Sequence, residues 1–202
     1  VTTPAVVLAT RNAGKVAELR RILAPHGIEL LGLADVTAYE PGPETGATFA
    51  ANALLKAHEA VGATGHPAIA DDSGLTVDAL NGMPGILSAR WSGRHGDDDA
   101  NLELVLAQLA DTPDGRLGAG FVCAAAVVLP DGREEVVTRE LRGRLVRERR
   151  GSNGFGYDPI FVPDGADRTL AELTAEEKDA ISHRGQAFRA LAPVVARLLG
   201  VR

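Results

Sequence analysis

Apolar positions fall into short blocks separated by glycine and proline clusters, and the spacing inside each block predicts an element. Val6 to Ala9 is a continuous apolar run of strand length. A turn from Thr10 to Lys15 leads into a segment with Val16, Leu19, Ile22 and Leu23 at helical spacing. Pro25 and Gly27 stop it, and Asn12 is placed to cap it. Residues 28–43 carry no sustained period and contain Pro41 and Pro43, so irregular chain is expected there. A second helix is expected from Thr45 to roughly Val61, with Phe49, Ala53 and Ala60 along one line and Leu54, Ala57 and Val61 along the next. Asn52 and Lys56, four residues apart, project from the same side of it. Pro67 to Ala70 reads as a short strand ending abruptly at Asp71, with Leu75 to Leu80 a candidate continuation.

The C-terminal half gives clearer signals. Asp97 to Asp99 can cap a helix carrying Leu102, Val105, Leu106 and Leu109. Residues 119–129 are apolar on both alternating faces, as a strand buried on two sides must be. Pro130, Asp131 and Gly132 signal a turn, and Glu134 to Leu141 alternates as the return strand of a hairpin. A glycine-rich loop covers residues 150–159, and Ile160 to Val162 is a strand. Thr174 and Glu177 form a capping box, and a last helix points Phe188, Leu191, Val195 and Leu198 inward, with Pro193 as a kink. The order of elements lacks a pure βαβ repeat and predicts a mixed α/β fold with α+β character, helices packed on a mixed sheet, in a single domain over residues 1–202.

Composition narrows the class. The chain has 202 residues, 45% of them hydrophobic, enough for a sizeable core. Lys and Arg number 21 against 27 Asp and Glu, a net charge of −6, which argues against nucleic acid or an anionic membrane surface as the main partner. It leaves room for a phosphorylated small molecule, which needs only a few local cations or a metal held by acids. The single cysteine, Cys123, sits in an apolar run and is expected to be buried and inert. No apolar run approaches the ~18 residues of a membrane span, so a cytoplasmic protein is the expectation.

Five stretches carry candidate chemistry. Thr10 to Lys15, at a strand-to-helix junction, reads equally as a phosphate cradle of backbone N–H groups with Lys15 and as a capped helix with a solvated lysine. It is not a Walker A loop, since Gly14 and Lys15 lack both the upstream glycine and a following Ser or Thr. Asp71 and Asp72 at a strand end suit a hard metal, because adjacent carboxylates stay ionised only beside a cation or donors; the alternative is a solvated acidic turn. Glu44 precedes the helix that carries Lys56, and both side chains have ordinary surface roles as their alternative. Gly154, Phe155, Gly156, Tyr157 and Asp158 let a ring stand clear of the backbone to stack on a nucleobase, or plug the loop. Lys178 with Ser182, His183 and Arg184 offers donors for carbonyl oxygens, or surface decoration.

Taken together these stretches resemble one family, the inosine/xanthosine triphosphate pyrophosphatases. The matching pieces are Thr10, Asn12 and Lys15; Glu44 with Asn52 and Lys56; Ala70 to Gly74; and Gly82 to Gly85 with Ser88 to Arg90. Further on come Gly154 to Pro159, Glu172 to Lys178 and Ile181 to Gly185, all in family order across nearly the whole chain. The resemblance implies an elongated mixed α/β fold with two lobes around a long cleft floored by a twisted mixed sheet, and a homodimer. It implies Mg²⁺-dependent hydrolysis of ITP, dITP and XTP to the monophosphate and pyrophosphate, a cleansing of the nucleotide pool. By the same resemblance Thr10, Arg11, Asn12, Ala13, Gly14 and Lys15 would cradle the triphosphate. Glu44 and Asp72 would hold the metal, Asp72 would also activate water with Asp71 in support, and Lys56 would neutralise phosphate charge. Ser73 would touch substrate, and Phe155 with Gly156, Tyr157, Asp158, Lys178, His183 and Arg184 would bind and read the base. Two rivals remain at this point: a related pyrophosphatase for pyrimidine or modified nucleotides, and a catalytically silent nucleotide-binding protein on the same fold.

Overall fold

A computed structural model describes residues 4–10, 13–36 and 39–201. Six strands form one sheet in the order β2-β1-β3-β4-β5-β6: β1 (Ala5–Leu8), β2 (Glu29–Leu31), β3 (Ala68–Val77), β4 (Gly118–Val128), β5 (Glu134–Leu145) and β6 (Phe161–Pro163). Strand β1 runs parallel to both β2 and β3, whereas β5 and β6 are antiparallel, so the sheet is mixed as expected. The helices are α1 (Ala13–Leu23), α2 (Phe49–Thr64), α3 (Asp98–Gln108), α4 (Ala175–Ile181) and α5 (His183–Leu199). No helix among the described residues is long and apolar enough to cross a membrane.

The chain divides into two compact units. The first comprises Val1–Asp72, Cys123–Arg139 and Arg184–Arg202. Alternation along its strands sends Val6, Leu8, Ile69, Cys123, Ala125 and Val127 into a core shared with Leu19 and Leu23 of α1 and Phe188, Leu191 and Val195 of α5. The opposite side of the same strands, Ala70, Ala124, Ala126 and Val128, packs on Ala53 and Ala57 of α2. Burial on two faces explains why residues 119–129 are almost uniformly apolar. The alanines meeting alanines let α2 lie close to the sheet, and so bring its polar residues near the sheet's carboxylates. Cys123 is buried, as its apolar run predicts, and α5 continues through Pro193.

The second unit comprises Ser73–Val122 and Glu140–His183. Its core joins Leu75 and Val77 of β3, Leu102 and Val105 of α3, and Phe121 of β4 with Ile160, Phe161 and Leu170. Phe121 meets Phe161 edge to face at 4.8 Å between ring centroids.

Three expectations need correction. Residues 28–43 are not wholly irregular: Glu29–Leu31 pairs with β1 and Leu33–Asp35 forms a 3₁₀ turn. A strand of three residues, of which Leu30 alone is fully buried, is too short to show a period. Helix α2 starts at Phe49, not Thr45, because Thr48 is its cap, its hydroxyl accepting the Ala51 N–H at 3.1 Å. Most important, the strand at Ala70 does not end at Asp71. It runs unbroken to Val77, so the two aspartates lie in the middle of a strand and not in a turn. The predicted capping box at Thr174 and Glu177 is present, and Asp97 caps α3.

Candidate active site

Two groups of polar side chains stand out, one in each unit. In the first unit the aspartates of β3 are nearly buried, Asp71 at 4% and Asp72 at 9% exposure. Buried carboxylates survive only with partners, and each has them. Asp71 Oδ2 lies 3.3 Å from Nε of Arg184, near the start of α5. Asp72 Oδ2 accepts from Nδ2 of Asn52 at 2.9 Å, and its Oδ1 lies 3.6 Å from the Lys56 ammonium. Lys56 also donates to Glu44 Oε1 at 2.8 Å. Asn52 and Lys56 are one turn apart on α2, so a single helix face supplies both contacts to Asp72.

The electrostatics follow from this packing. Burial pushes the Asp72 carboxyl above its ordinary range; Lys56 and Asn52 pull it back, while Glu44 and Asp71 push in the same direction as burial. Burial works to lower the Lys56 ammonium, but the Asp72 charge, the Glu44 hydrogen bond and charge, and Asp71 outweigh it and hold Lys56 above its ordinary range. Glu44, Asp71 and Asp72 set against Lys56 and Arg184 leave these five residues one negative charge in excess. An oxygen-only donor set short of positive charge fits a hard divalent cation. Among the described residues no group of three or more His, Cys, Asp or Glu is arranged to hold a metal by itself.

Thr10 stands two residues beyond the end of β1, and Ala13, Gly14 and Lys15 form the first turn of α1. Arg11 and Asn12, with the expected cap at Asn12, lie outside the described residues.

In the second unit the glycine-rich loop presents Phe155, which at 60% exposure is the most exposed large hydrophobic residue described. The loop is held from three sides. Asp158 Oδ2 accepts the Phe155 N–H at 2.9 Å, Asp98 of α3 accepts the Gly156 N–H at 2.9 Å, and the Tyr157 hydroxyl donates to the Ser88 carbonyl at 2.8 Å. Tyr157 is therefore an anchor in the core beneath the loop, and burial, with the Asp98 charge adding, pushes its phenol well up. Gly154 has φ +75°, and a Cβ there would collide with the Asp158 carboxylate. Lys178 of α4 pairs with Asp158, and its ammonium lies 4.7 Å from the Phe155 ring centroid. His183 stacks on Phe121 at 5.1 Å with 12° between the planes, so its ring is fixed by the aromatic core. A hollow of about 440 Å³ beside the loop is walled by Asp97, Asp98 and Asp99, a composition that repels phosphate.

The structure thus gathers Glu44, Lys56, Asp71, Asp72 and Arg184 in the first unit, and Phe155 to Asp158 with Lys178 in the second. Ser73 follows Asp72 on β3. The sequence alone gives Gly46 no role, places Asp98 only in the cap of a helix and Ser88 only in a stretch that matches the family, and marks Asn52 by its spacing from Lys56 and its helix's match to the same family. For Asn52 the i, i+4 spacing was the available signal; for Asp98 and Ser88 the contacts are too distant along the chain to leave one.

Residues 6–194 match the Ham1 family, and the chain belongs to that family. Among its relatives, the dITP/XTP pyrophosphatase of Streptomyces coelicolor is 64% identical over 198 residues, covering 96% of this chain and 98% of that protein. The crystal structure of the nucleoside-triphosphatase, or dITP/XTP pyrophosphatase, of Mycobacterium abscessus superposes with a TM-score of 0.81 at 61% identity, covering 94% of this chain and 99% of that one. The Staphylococcus aureus Ham1 protein superposes with a TM-score of 0.88 at 38% identity, covering 96% and 99%.

Proposed function

We propose that this chain is a pyrophosphohydrolase of non-standard purine nucleoside triphosphates, converting dITP, ITP and XTP to the monophosphate and pyrophosphate. The observation that carries the reaction is the Asp72 carboxylate, buried in mid-strand with one oxygen taken by Asn52 and the other beside Lys56. The named relatives support the substrate class.

In this reading Asp72 takes the proton of the attacking water, a role for which a carboxyl raised by burial is suited. Lys56 neutralises phosphate charge, and Asp71, paired with Arg184, supports the neighbouring carboxylate. Thr10, Arg11, Asn12, Ala13, Gly14 and Lys15 receive the triphosphate, with the N–H groups and dipole of the α1 start favouring an anion. Glu44 and Asp72 would hold Mg²⁺, which when bound supplies positive charge to the phosphates. Ser73 contacts substrate. Phe155 stacks on the base, with Gly156 and Tyr157 shaping its platform and His183 and Arg184 adding donors to the base edge.

The Lys178–Asp158 pair gives the base preference a physical reason. A donor beside an acceptor matches the 6-oxygen and protonated N1 of hypoxanthine and xanthine. Adenine presents the reverse, an amino donor and a bare N1, and such mismatches at a hydrogen-bonding site can reach ~10⁴–10⁵ in kcat/KM. Guanine shares the 6-oxo pattern, so its rejection depends on the 2-position. The test is a kcat/KM screen over dITP, ITP, XTP, dATP, dGTP and dTTP. The first three should lead the rest by orders of magnitude; a lead for dTTP would favour the pyrimidine reading. Removing metal with EDTA should abolish activity and Mg²⁺ restore it, with Ca²⁺ a poor substitute because its coordination is larger and less strict; full turnover after verified metal removal would refute the assignment of Glu44 and Asp72. A homodimer and a cytoplasmic location belong to the same reading, and sedimentation of the purified protein tests the first.

A further inference from the structure

We propose that Asn52 is a positioning residue, a single buried amide that fixes both the Asp72 carboxylate and the loop bearing Glu44. Asn52 is fully buried in the first turn of α2. Its Oδ1 accepts the Gly46 backbone N–H at 2.7 Å, and its Nδ2 donates to Asp72 Oδ2 at 2.9 Å. A backbone N–H can only donate, so the oxygen of the amide must face Gly46 and the nitrogen must face Asp72. The orientation is forced by chemistry at both ends.

Gly46 is part of the device. A Cβ there would lie 2.6 Å from Asn52 Oδ1, 2.8 Å from the Ala51 Cβ and 2.9 Å from the Asn52 nitrogen. Only glycine lets the loop backbone come close enough to donate. Gly46 stands two residues beyond Glu44, whose carboxylate is held by Lys56 one turn further along α2. Helix α2 therefore grips the loop twice, by backbone through Asn52 and by side chain through Lys56. The same two residues touch the two oxygens of Asp72. With Oδ2 on the Asn52 amide and Oδ1 beside the Lys56 ammonium, the carboxylate is held against rotation. A group that acts on a water needs that fixed direction, and outer partners of such groups typically matter by 10–100-fold in activity.

The inference rests on Asp72 acting as proposed above, and the experiment separates the two. Steady-state kcat and KM for dITP are measured for the wild type, Asn52→Leu, Gly46→Ala and the control Gly62→Ala, with melting temperatures for each. Leucine keeps the branched shape of asparagine without its polar atoms. Gly46→Ala leaves Asn52 in place but drives the loop off its oxygen. Gly62 lies on α2 with nothing near its would-be Cβ. Asn52→Leu should lower kcat by about 10–100-fold with KM held within about threefold, Gly46→Ala should lower kcat in the same direction, and Gly62→Ala should change neither. A folded Asn52→Leu with kcat within about threefold of wild type overturns the proposal. If Asn52→Leu does not fold, Gly46→Ala decides: an unaltered kcat overturns the proposal, a lowered kcat at constant KM supports it. Wild-type protein that turns over none of dITP, ITP and XTP overturns the proposed activity and the positioning role with it, whereas active wild type with unaltered variants overturns the positioning role alone.

Discussion

Replacing Asp72 by asparagine should lower kcat on dITP by at least ~10²-fold, the scale of lost general-base catalysis. The amide keeps the volume of the side chain but cannot accept the proton of the attacking water and brings no negative charge. Folding should not suffer. Burial already disfavours the ionised Asp72, and Glu44 and Asp71 disfavour it further, so a neutral side chain relieves a cost that the site bears for function. Lys56 retains its hydrogen bond to Glu44. The check is a kcat and KM determination for Asp72→Asn beside its melting curve. Near wild-type kcat would move the base elsewhere, with Asp71 the next candidate; a large drop in melting temperature would show that the carboxylate is structural.

Arg184→Ala should produce the largest effect on stability, a loss of about 3–5 kcal/mol, the scale found when one partner of a buried ion pair is removed. Asp71 is 2% exposed at its side chain and Arg184 16%, and their contact is 3.3 Å. With the guanidinium gone, the Asp71 charge remains in a place that water barely reaches. Adding Asp71→Asn to Arg184→Ala should recover much of the loss, because the buried charge is then absent; denaturant curves of the two single variants and the double one test this. The same Arg184→Ala protein reports on base recognition. A donor that reads the 6-oxygen should, when deleted, narrow the gap between dITP and dATP. An unchanged ratio would confine Arg184 to its partnership with Asp71.

Much of the fold was legible because burial writes a period into the chain. Strand β4 reads as buried on both faces from its uniform apolar run, and α5 from Phe188, Leu191 and Val195. The loop around Phe155 was legible from its glycines, which permit backbone that other residues resist. Strand β2 was not legible, since three residues make no pattern. The continuity of β3 was hidden for a more instructive reason. Two adjacent carboxylates normally mark solvent, and a reader of local pattern ends the strand there. What keeps them in the strand lies elsewhere in the chain: Arg184 on α5, and Asn52 and Lys56 on α2. A buried charge is legible only once its partner is known, and sequence distance conceals the partner. Tyr157 shows the same limit from the other side. Its hydroxyl also donates to the Ser88 carbonyl, 69 residues away, a contact that no local pattern announces.

Phosphorus NMR of dITP and dATP, each incubated with the purified protein and Mg²⁺, is the most direct test of the account. The dITP spectrum should lose its triphosphate signals to dIMP and pyrophosphate in equal amounts, while dATP persists over the same period. Release of orthophosphate with dIDP as the primary product, or dATP consumed as fast as dITP, would contradict it.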